Sequence, residues 1–161
     1  MLHNQLFVNL VKSIFHNIGV VIVGFIFAFL GIVLDSFLGI TGFKSPLIVI
    51  VALLLLTIGF LLRVWATFHF YEKRMKVISL KPQKTLITSG PFSFSRNPLY
   101  LGGNVFIFLG AVLFLGSPTG LFLTAINILI VEFQIRREEK QLEQSFGEEW
   151  IRYKKKVRRW F

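Results

Sequence analysis

The chain alternates between long apolar runs and shorter polar segments. An α-helix rises about 1.5 Å per residue, so about 20 apolar residues cover a hydrocarbon core of about 30 Å. Four runs are long enough to cross this core. The last apolar run is short by itself, but it continues into a charged stretch without a helix-breaking residue. The pattern therefore predicts an all-α integral membrane protein with four transmembrane helices. The expected spans cover about residues 14–34, 46–70, 98–115 and 118–135.

Two polar segments are longer than simple connections require. Residues 71–97 are basic, contain two prolines and cannot span a membrane, and residues 136–161 are rich in charge. By contrast, residues 116–120 have the Gly, Ser and Pro content of a tight turn. We expect a single membrane domain over residues 1–161, with a cytosolic re-entrant loop at 71–97 and a cytosolic amphipathic helix at 136–161.

Composition agrees with a membrane protein. Hydrophobic residues make up 54% and charged residues 16% of the 161-residue chain, whereas soluble domains carry about 25% charge. The net charge is +10, and fifteen of the eighteen Lys and Arg residues fall in the two long polar segments. Positive charge at span ends marks the cytosolic side, so both termini are predicted to be cytosolic. Without a recognition motif, the charge does not indicate a nucleic-acid partner.

The composition also disfavours metal and thiol chemistry. The chain has no cysteine, which excludes disulfides and thiolate catalysis. Its three histidines, His3, His16 and His69, are scattered along the chain and show no metal-ligand spacing. We therefore expect no metal ion.

The first segment with candidate chemistry runs from Gly90 to Gly103. Its Gly and Pro residues restrict the backbone, and Arg96 and Asn97 offer hydrogen-bond donors. Pro98 suits the first turn of a helix, whose free N–H groups can hold an anion. A simpler alternative is a membrane re-entrant turn anchored at the interface by Arg96 and Tyr100.

The second segment combines an apolar stripe with clustered charges. Leu142, Phe146, Trp150 and Tyr153 recur at helical spacing, and charged residues fill the opposite face. The simpler alternative is an interfacial amphipathic helix with weak surface ion pairs. Glu132 argues against it, because a carboxylate so close to hydrocarbon should be paired or functional.

Taken in order, these motifs resemble the isoprenylcysteine carboxyl methyltransferase and phospholipid methyltransferase family of integral membrane methyltransferases. The resemblance covers about residues 59–161, and Asn97 stands where many members have His. The matching positions are Gly90-Pro91-Phe92, Arg96-Asn97-Pro98-Leu99-Tyr100-Leu101-Gly102, Glu138-Glu139, Leu142, Phe146-Gly147, Trp150, Tyr153 and Val157-Arg158-Arg159.

The resemblance implies S-adenosylmethionine as cofactor, bound at the cytosolic face, and methyl transfer to a lipophilic acceptor in the membrane. It points to Arg96 and Asn97 for the cofactor carboxylate and to Glu138 and Glu139 for its ammonium and hydroxyl groups. The rings of Tyr100, Trp150 and Tyr153 would contact its adenine or sulfonium. The expected cofactor-binding residues are Gly90, Arg96, Asn97, Tyr100, Glu138 and Glu139.

The acceptor is left open among a carboxylate, an amine and a thiol. Arg159 is the candidate to position a carboxylate, which needs no base, and Glu139 is the candidate base for an amine. Glu139 and Arg159 are therefore the expected catalytic residues. The partners are a lipid, lipidated or other lipophilic substrate and the membrane lipids. The resemblance and the small size imply the inner membrane of a prokaryotic cell.

Two other functions fit a four-span protein. One is a membrane reductase of the sterol-reductase type that uses NADPH, and the other is a non-catalytic membrane subunit. The Glu-Glu and Phe-Gly motifs favour the methyl donor over the nicotinamide cofactor. Binding of S-adenosylmethionine or of NADPH distinguishes the three, because the non-catalytic subunit would bind neither.

Overall fold

The computed structural model describes residues 2–75, 77 and 85–161, and these contain helices and no strand. Four helices are long and apolar enough to cross a membrane, which confirms the predicted all-α fold. A fifth, shorter helix follows them. The helices are α1 (Leu2–Leu38), α2 (Pro46–Glu72), α3 (Pro98–Leu115), α4 (Pro118–Phe146) and α5 (Glu148–Lys156).

The C-terminal stretch differs from its prediction. The expected single helix over 136–161 is wrong, because α4 continues to Phe146 and the chain turns at Gly147 with φ +49°. Glycine adopts this backbone conformation without steric cost. After α5 ends at Lys156, Val157 is extended, and we call residues 157–161 the tail. Of the expected loop at 71–97, Lys76 and residues 78–84 lie outside the described residues.

Helix packing is typical of membrane proteins, with small residues inside and large apolar residues outside. Phe15, Phe37 and Phe122 are 71%, 86% and 66% exposed, on faces that lipid would cover. Inside the bundle, Gly59 on α2 approaches α3 so closely that a Cβ there would lie 2.6 Å from the Gly102 carbonyl oxygen. The helices are therefore held by close backbone approach and by buried polar contacts.

One buried polar contact joins the end of α1 to the start of α4. The Asp35 carboxylate accepts hydrogen bonds from the Ser117 hydroxyl at 2.5 Å and from the Thr119 backbone N–H at 2.9 Å. Ser117 Oγ in turn accepts from the Gly120 N–H at 2.9 Å, which caps α4. We call this the Asp35 cap.

We call the opposite end of the bundle the basic end. It contains the start of α1, the end of α2, the start of α3 and the end of α4. Here a short 3₁₀ turn, Gly90–Ser93, and helix α5 pack against the long helices. Phe92 of the turn contacts Phe70 of α2, and Trp150 and Tyr153 of α5 form a buried cluster with Val157. The fold thus brings the two candidate segments to one end of the molecule.

Candidate active site

The loop before α3 and the tail are tied together by backbone-directed hydrogen bonds. The Arg96 N–H donates to the Arg158 carbonyl at 3.0 Å. The Arg159 carbonyl accepts from Asn97 Nδ2 at 3.2 Å and from Ser95 Oγ at 3.3 Å. Ser95 is fully buried, so its hydroxyl is committed to this junction. The junction fixes the side chains of Arg96 and Arg159 relative to each other.

The Glu139 carboxylate lies between two guanidinium groups. Arg96 Nη2 is 3.2 Å from Glu139 Oε1, and Arg159 donates from Nε at 3.2 Å and from Nη2 at 2.7 Å. Arg159 Nη1 also donates to Glu132 Oε1 at 2.6 Å, as Arg136 Nε does at 3.0 Å. These five side chains form what we call the arginine–glutamate network. Because Glu139 and Arg96 are both 8% exposed at their side chains, their pairing is largely shielded from solvent.

Glu138 makes a separate contact. Its Oε1 accepts a hydrogen bond from the Tyr100 hydroxyl at 2.5 Å and another from Gln134 Nε2 at 3.2 Å. Successive residues on a helix point about 100° apart, so Glu138 faces Tyr100 on α3 while Glu139 faces Arg96 and Arg159. The two adjacent carboxylates thus bind different partners at the same end of the molecule.

Arg96 has more donors than partners. Its Nε and Nη1 are buried and have no hydrogen-bond partner among the residues that the structure describes. The guanidinium lies over the Trp150 ring, 5.7 Å from its centroid, and Trp150 Nε1 is likewise buried without such a partner. Leaving a buried donor unsatisfied costs about 1–3 kcal/mol, more for a charged group. An anionic ligand group bound at Arg96 would remove this cost.

The electrostatic environment fixes the charge states of two further groups outside the membrane spans. The hydrogen bond to Glu139 raises the pKa of the Arg159 guanidinium, so it is a permanent cation. Burial raises the pKa of the Tyr153 hydroxyl, which keeps Tyr153 neutral and able to donate to the Phe92 carbonyl at 2.7 Å. Tyr153 therefore pins α5 to the 3₁₀ turn.

Most of the residues singled out from the sequence meet here. The structure brings together Arg96, Asn97, Tyr100, Glu138, Glu139 and Arg159. Gly90 has a different place, at the start of the 3₁₀ turn with φ +61°, where a Cβ would collide with the His69 ring. Trp150 and Tyr153, 1% and 7% exposed, lie in the core under the loop rather than offering open ring faces.

Some contacts were missed by sequence reasoning. Ser95 lies between Phe94 and Arg96 in a loop, and nothing in that pattern marks it as the residue that binds the tail. Ser13 and Asn17 are different, because two polar residues four apart on a helix share one face. That spacing was a usable signal for a buried contact, and both side chains are fully buried.

Known proteins show the family of this chain. The family model described as phospholipid methyltransferase matches residues 47–149. The chain belongs to this family. An uncharacterized protein of Haemophilus influenzae is 49% identical over 55 residues, which are 34% of this chain and 87% of the relative. No solved structure matches the chain.

Family membership points to a membrane methyltransferase. The matched range contains Arg96, Tyr100, Glu138 and Glu139, whereas α1 and the tail lie outside it. Arg159 thus comes from a part of the chain that the match does not cover.

Proposed function

We propose that the protein transfers a methyl group from S-adenosylmethionine to a lipophilic acceptor embedded in the membrane, with the cofactor bound at the basic end. The observation that carries this proposal is the buried Arg96, whose Nε and Nη1 have no partner among the described residues and which lies beside the ion-paired Glu139. A ligand with a carboxylate fits such a cation. Membership in the phospholipid methyltransferase family supports the same reaction class.

Two side chains would hold the cofactor, and a third would support them. Arg96 would bind its carboxylate through Nε and Nη1, and Asn97 would keep Arg96 in place through the tail. Glu138 would accept hydrogen bonds from ligand ammonium or hydroxyl groups, and its bond to Tyr100 would orient it for them. When bound, S-adenosylmethionine supplies a methyl group on a positively charged sulfur, which a nucleophile accepts by in-line displacement.

Positioning is the main contribution expected from the chain. Orientation of two reactants supplies up to about 7–11 kcal/mol of barrier reduction, and the ion pairs of the arginine–glutamate network would hold the side chains in place for it. Arg159 is 27% exposed at its side chain, so it is buried enough to be fixed and open enough to meet an acceptor. A carboxylate acceptor would bind Arg159 and react without a base.

An amine acceptor makes a different demand, because it must lose a proton. Both oxygens of Glu139 already accept hydrogen bonds from Arg159. Glu139 would therefore have to give up an arginine contact to hold the proton. A thiol acceptor makes the same demand for a base, unless it arrives as the thiolate.

We further propose that the basic end faces the cytosol of a prokaryotic cell, with the protein in the inner membrane. Because the chain has no cysteine, single cysteines can be placed at Ser36 and after Phe161 and labelled in intact cells with an impermeant maleimide. We expect the Ser36→Cys variant to be labelled from outside and the C-terminal cysteine only after lysis. Labelling of the C-terminal cysteine in intact cells would contradict the proposed orientation.

The test of function is binding followed by product analysis. Purified protein in detergent should bind S-adenosylmethionine, and membranes containing it should transfer labelled methyl to a lipophilic product that mass spectrometry identifies. NADPH is the comparison ligand, since the reductase alternative predicts that it binds and S-adenosylmethionine does not. Binding of neither ligand would indicate a non-catalytic subunit.

A further inference from the structure

A buried arginine inside the helical bundle has no role in the network described above. Arg63 lies within α2 and is 8% exposed. Among the residues that the structure describes, no carboxylate lies within ion-pair distance of it. A charged side chain in a membrane span is costly and as a rule functional. The role of Arg63 therefore depends on the groups that it binds.

One partner of Arg63 is the first turn of α3. Arg63 Nη1 donates to the Leu99 carbonyl at 2.7 Å. Two glycines make room for the guanidinium, since a Cβ on Gly103 would lie 2.6 Å from Nη1 and a Cβ on Gly102 2.8 Å from Cγ. Directly after this turn, residues Leu101–Ile107 are wound as a π-helix, a form that is rare and frequent at functional sites.

The other partner is on α1. Arg63 Nε donates to Asn17 Oδ1 at 2.8 Å, and Asn17 Nδ2 donates to Thr67 Oγ1 and to the Ser13 carbonyl, each at 2.8 Å. Ser13 Oγ donates to the Val64 carbonyl at 2.7 Å and also contacts the Thr67 hydroxyl. The guanidinium is thus fixed from two sides, by α1 through Asn17 and by α3 through Leu99.

We propose that Arg63 is a positioning residue for the candidate active site. Leu99 immediately precedes Tyr100, whose hydroxyl donates to Glu138 at 2.5 Å. By holding the Leu99 carbonyl, Arg63 fixes the rotation and height of the first turn of α3, so that Tyr100 meets Glu138. Asn17 gives α1 a part in this arrangement, although α1 lies outside the matched family range. The effect on cofactor affinity rests on the proposed function, whereas the effect on α3 does not.

The first experiment needs no ligand. Hydrogen–deuterium exchange of the backbone amides of residues 97–107 is followed by mass spectrometry in the parent, Arg63→Met, Arg63→Lys and Asn17→Ala proteins. We expect the amides to exchange at least about ten times faster in both Arg63 variants than in the parent, with a smaller increase in Asn17→Ala. Lysine keeps the charge but lacks the planar fork that reaches both Asn17 and Leu99. Lys44→Met removes a positive charge at the other end of the bundle and should leave this exchange unchanged.

The second experiment measures S-adenosylmethionine affinity in a double-mutant cycle with Tyr100→Phe. We expect Tyr100→Phe alone and Arg63→Lys alone each to weaken binding about tenfold. Because Arg63 acts through Tyr100, the double variant should be no weaker than the stronger single effect. If Arg63→Met does not fold, Arg63→Lys and Asn17→Ala carry the same test.

Two results would overturn the positioning role. One is parent-like exchange at 97–107 in the folded Arg63→Lys protein, and the other is full additivity with Tyr100→Phe. If the parent itself does not bind S-adenosylmethionine, the proposed function fails. The exchange experiment then still decides whether Arg63 holds α3.

Discussion

The two ends of the helical bundle each contain a buried carboxylate, but the carboxylates are paired in opposite ways. Asp35 is 3% exposed and accepts from neutral donors, the Ser117 hydroxyl and the Thr119 N–H. Glu139 is 6% exposed and is bound by two cations. At the Asp35 cap both carboxylate oxygens have partners. Beside Glu139, Arg96 retains two buried donors without a partner among the described residues.

This difference is the one we expect between a structural contact and the binding site that we propose. A buried polar group whose bonds are all made stabilises the fold and offers nothing to a ligand. A buried cation with spare donors destabilises the free protein and gains the most when an anion arrives. We therefore expect substitutions at the basic end to change binding more than stability, and substitutions at the Asp35 cap to do the reverse.

The largest effect on binding is expected for Arg96→Gln. Removing the cation deletes the buried donors of Arg96 that have no partner among the described residues, and we expect S-adenosylmethionine affinity to fall about hundredfold or more. Unfolding temperature should change little, because the variant also removes a buried group that lacks partners. Equilibrium binding and thermal unfolding in detergent measure the two quantities. Unchanged affinity in a folded Arg96→Gln protein would refute the expected difference between the basic end and the Asp35 cap.

The next effect is on stability, at the other end. Asp35→Asn replaces an acceptor oxygen with an NH₂ group that faces Ser117 or Thr119, both of which donate to Asp35 in the parent. We expect the free energy of unfolding to fall by about 1–3 kcal/mol. Denaturant titration in mixed micelles measures this loss. Cofactor affinity should stay at the parent value, and a marked loss of affinity would show that the two ends are not independent.

Glu138→Gln sharpens the comparison within the basic end. It keeps the shape of the side chain but removes the negative charge that accepts the hydrogen bond from the Tyr100 hydroxyl. We expect cofactor binding to weaken about ten- to hundredfold. Glu139→Gln should do the same, with an added loss of stability because Arg96 loses its ion-pair partner, whereas Arg159 keeps Glu132. The matched control is Lys154→Gln, which breaks an exposed pair with Glu143 worth at most about 1 kcal/mol. If both Glu variants bind like the parent, α4 is only an anchor.

The smallest effect is expected at Asn97. Asn97→Ala removes the bond from Nδ2 to the Arg159 carbonyl, while Ser95 still donates to the same oxygen. We expect a loss of affinity of about fivefold, as for one neutral hydrogen bond. Asn97→His can still donate and should remain near the parent. Equal affinities in the two variants would show that this amide does not help to place the tail.

The fold was largely predictable because the bilayer imposes a length rule on apolar runs. Four helices long and apolar enough to span a membrane followed from hydrophobicity, and α1 extends beyond the predicted span, beginning at Leu2 where the span was expected to begin near residue 14. The break at Gly147 was not predicted, because the sequence on both sides of it is helix-forming and charged. A single glycine there signals a turn only once the packing of Trp150 against the loop is known.

The candidate site was predictable in its residues but not in its contacts. Arg96, Tyr100, Glu138, Glu139 and Arg159 were identified by their motifs, and their roles stay proposals. Their pairing depends on contacts between residues far apart in the chain, such as Ser95 with Arg159, which no local pattern encodes. The sequence shows Arg63 as a single charge within an apolar run, but its partners Asn17 and Leu99 are found only in the tertiary structure.

Because α4 is unbroken, the distance along it between the Asp35 cap and Glu139 is fixed and can be compared with the thickness of a bilayer. From Pro118 to Glu139 the helix rises about 30 Å, which is close to the thickness of a hydrocarbon core. Because the Asp35 cap secures one end of α4, we expect Glu139 to lie at the far membrane surface only when the lipid matches this length. In a thicker bilayer the network would be drawn toward the acyl chains, and in a thinner one it would be lifted into water. If the protein acts on a membrane-dissolved acceptor, as we propose, lipid chain length would then determine how well that acceptor can reach the candidate site.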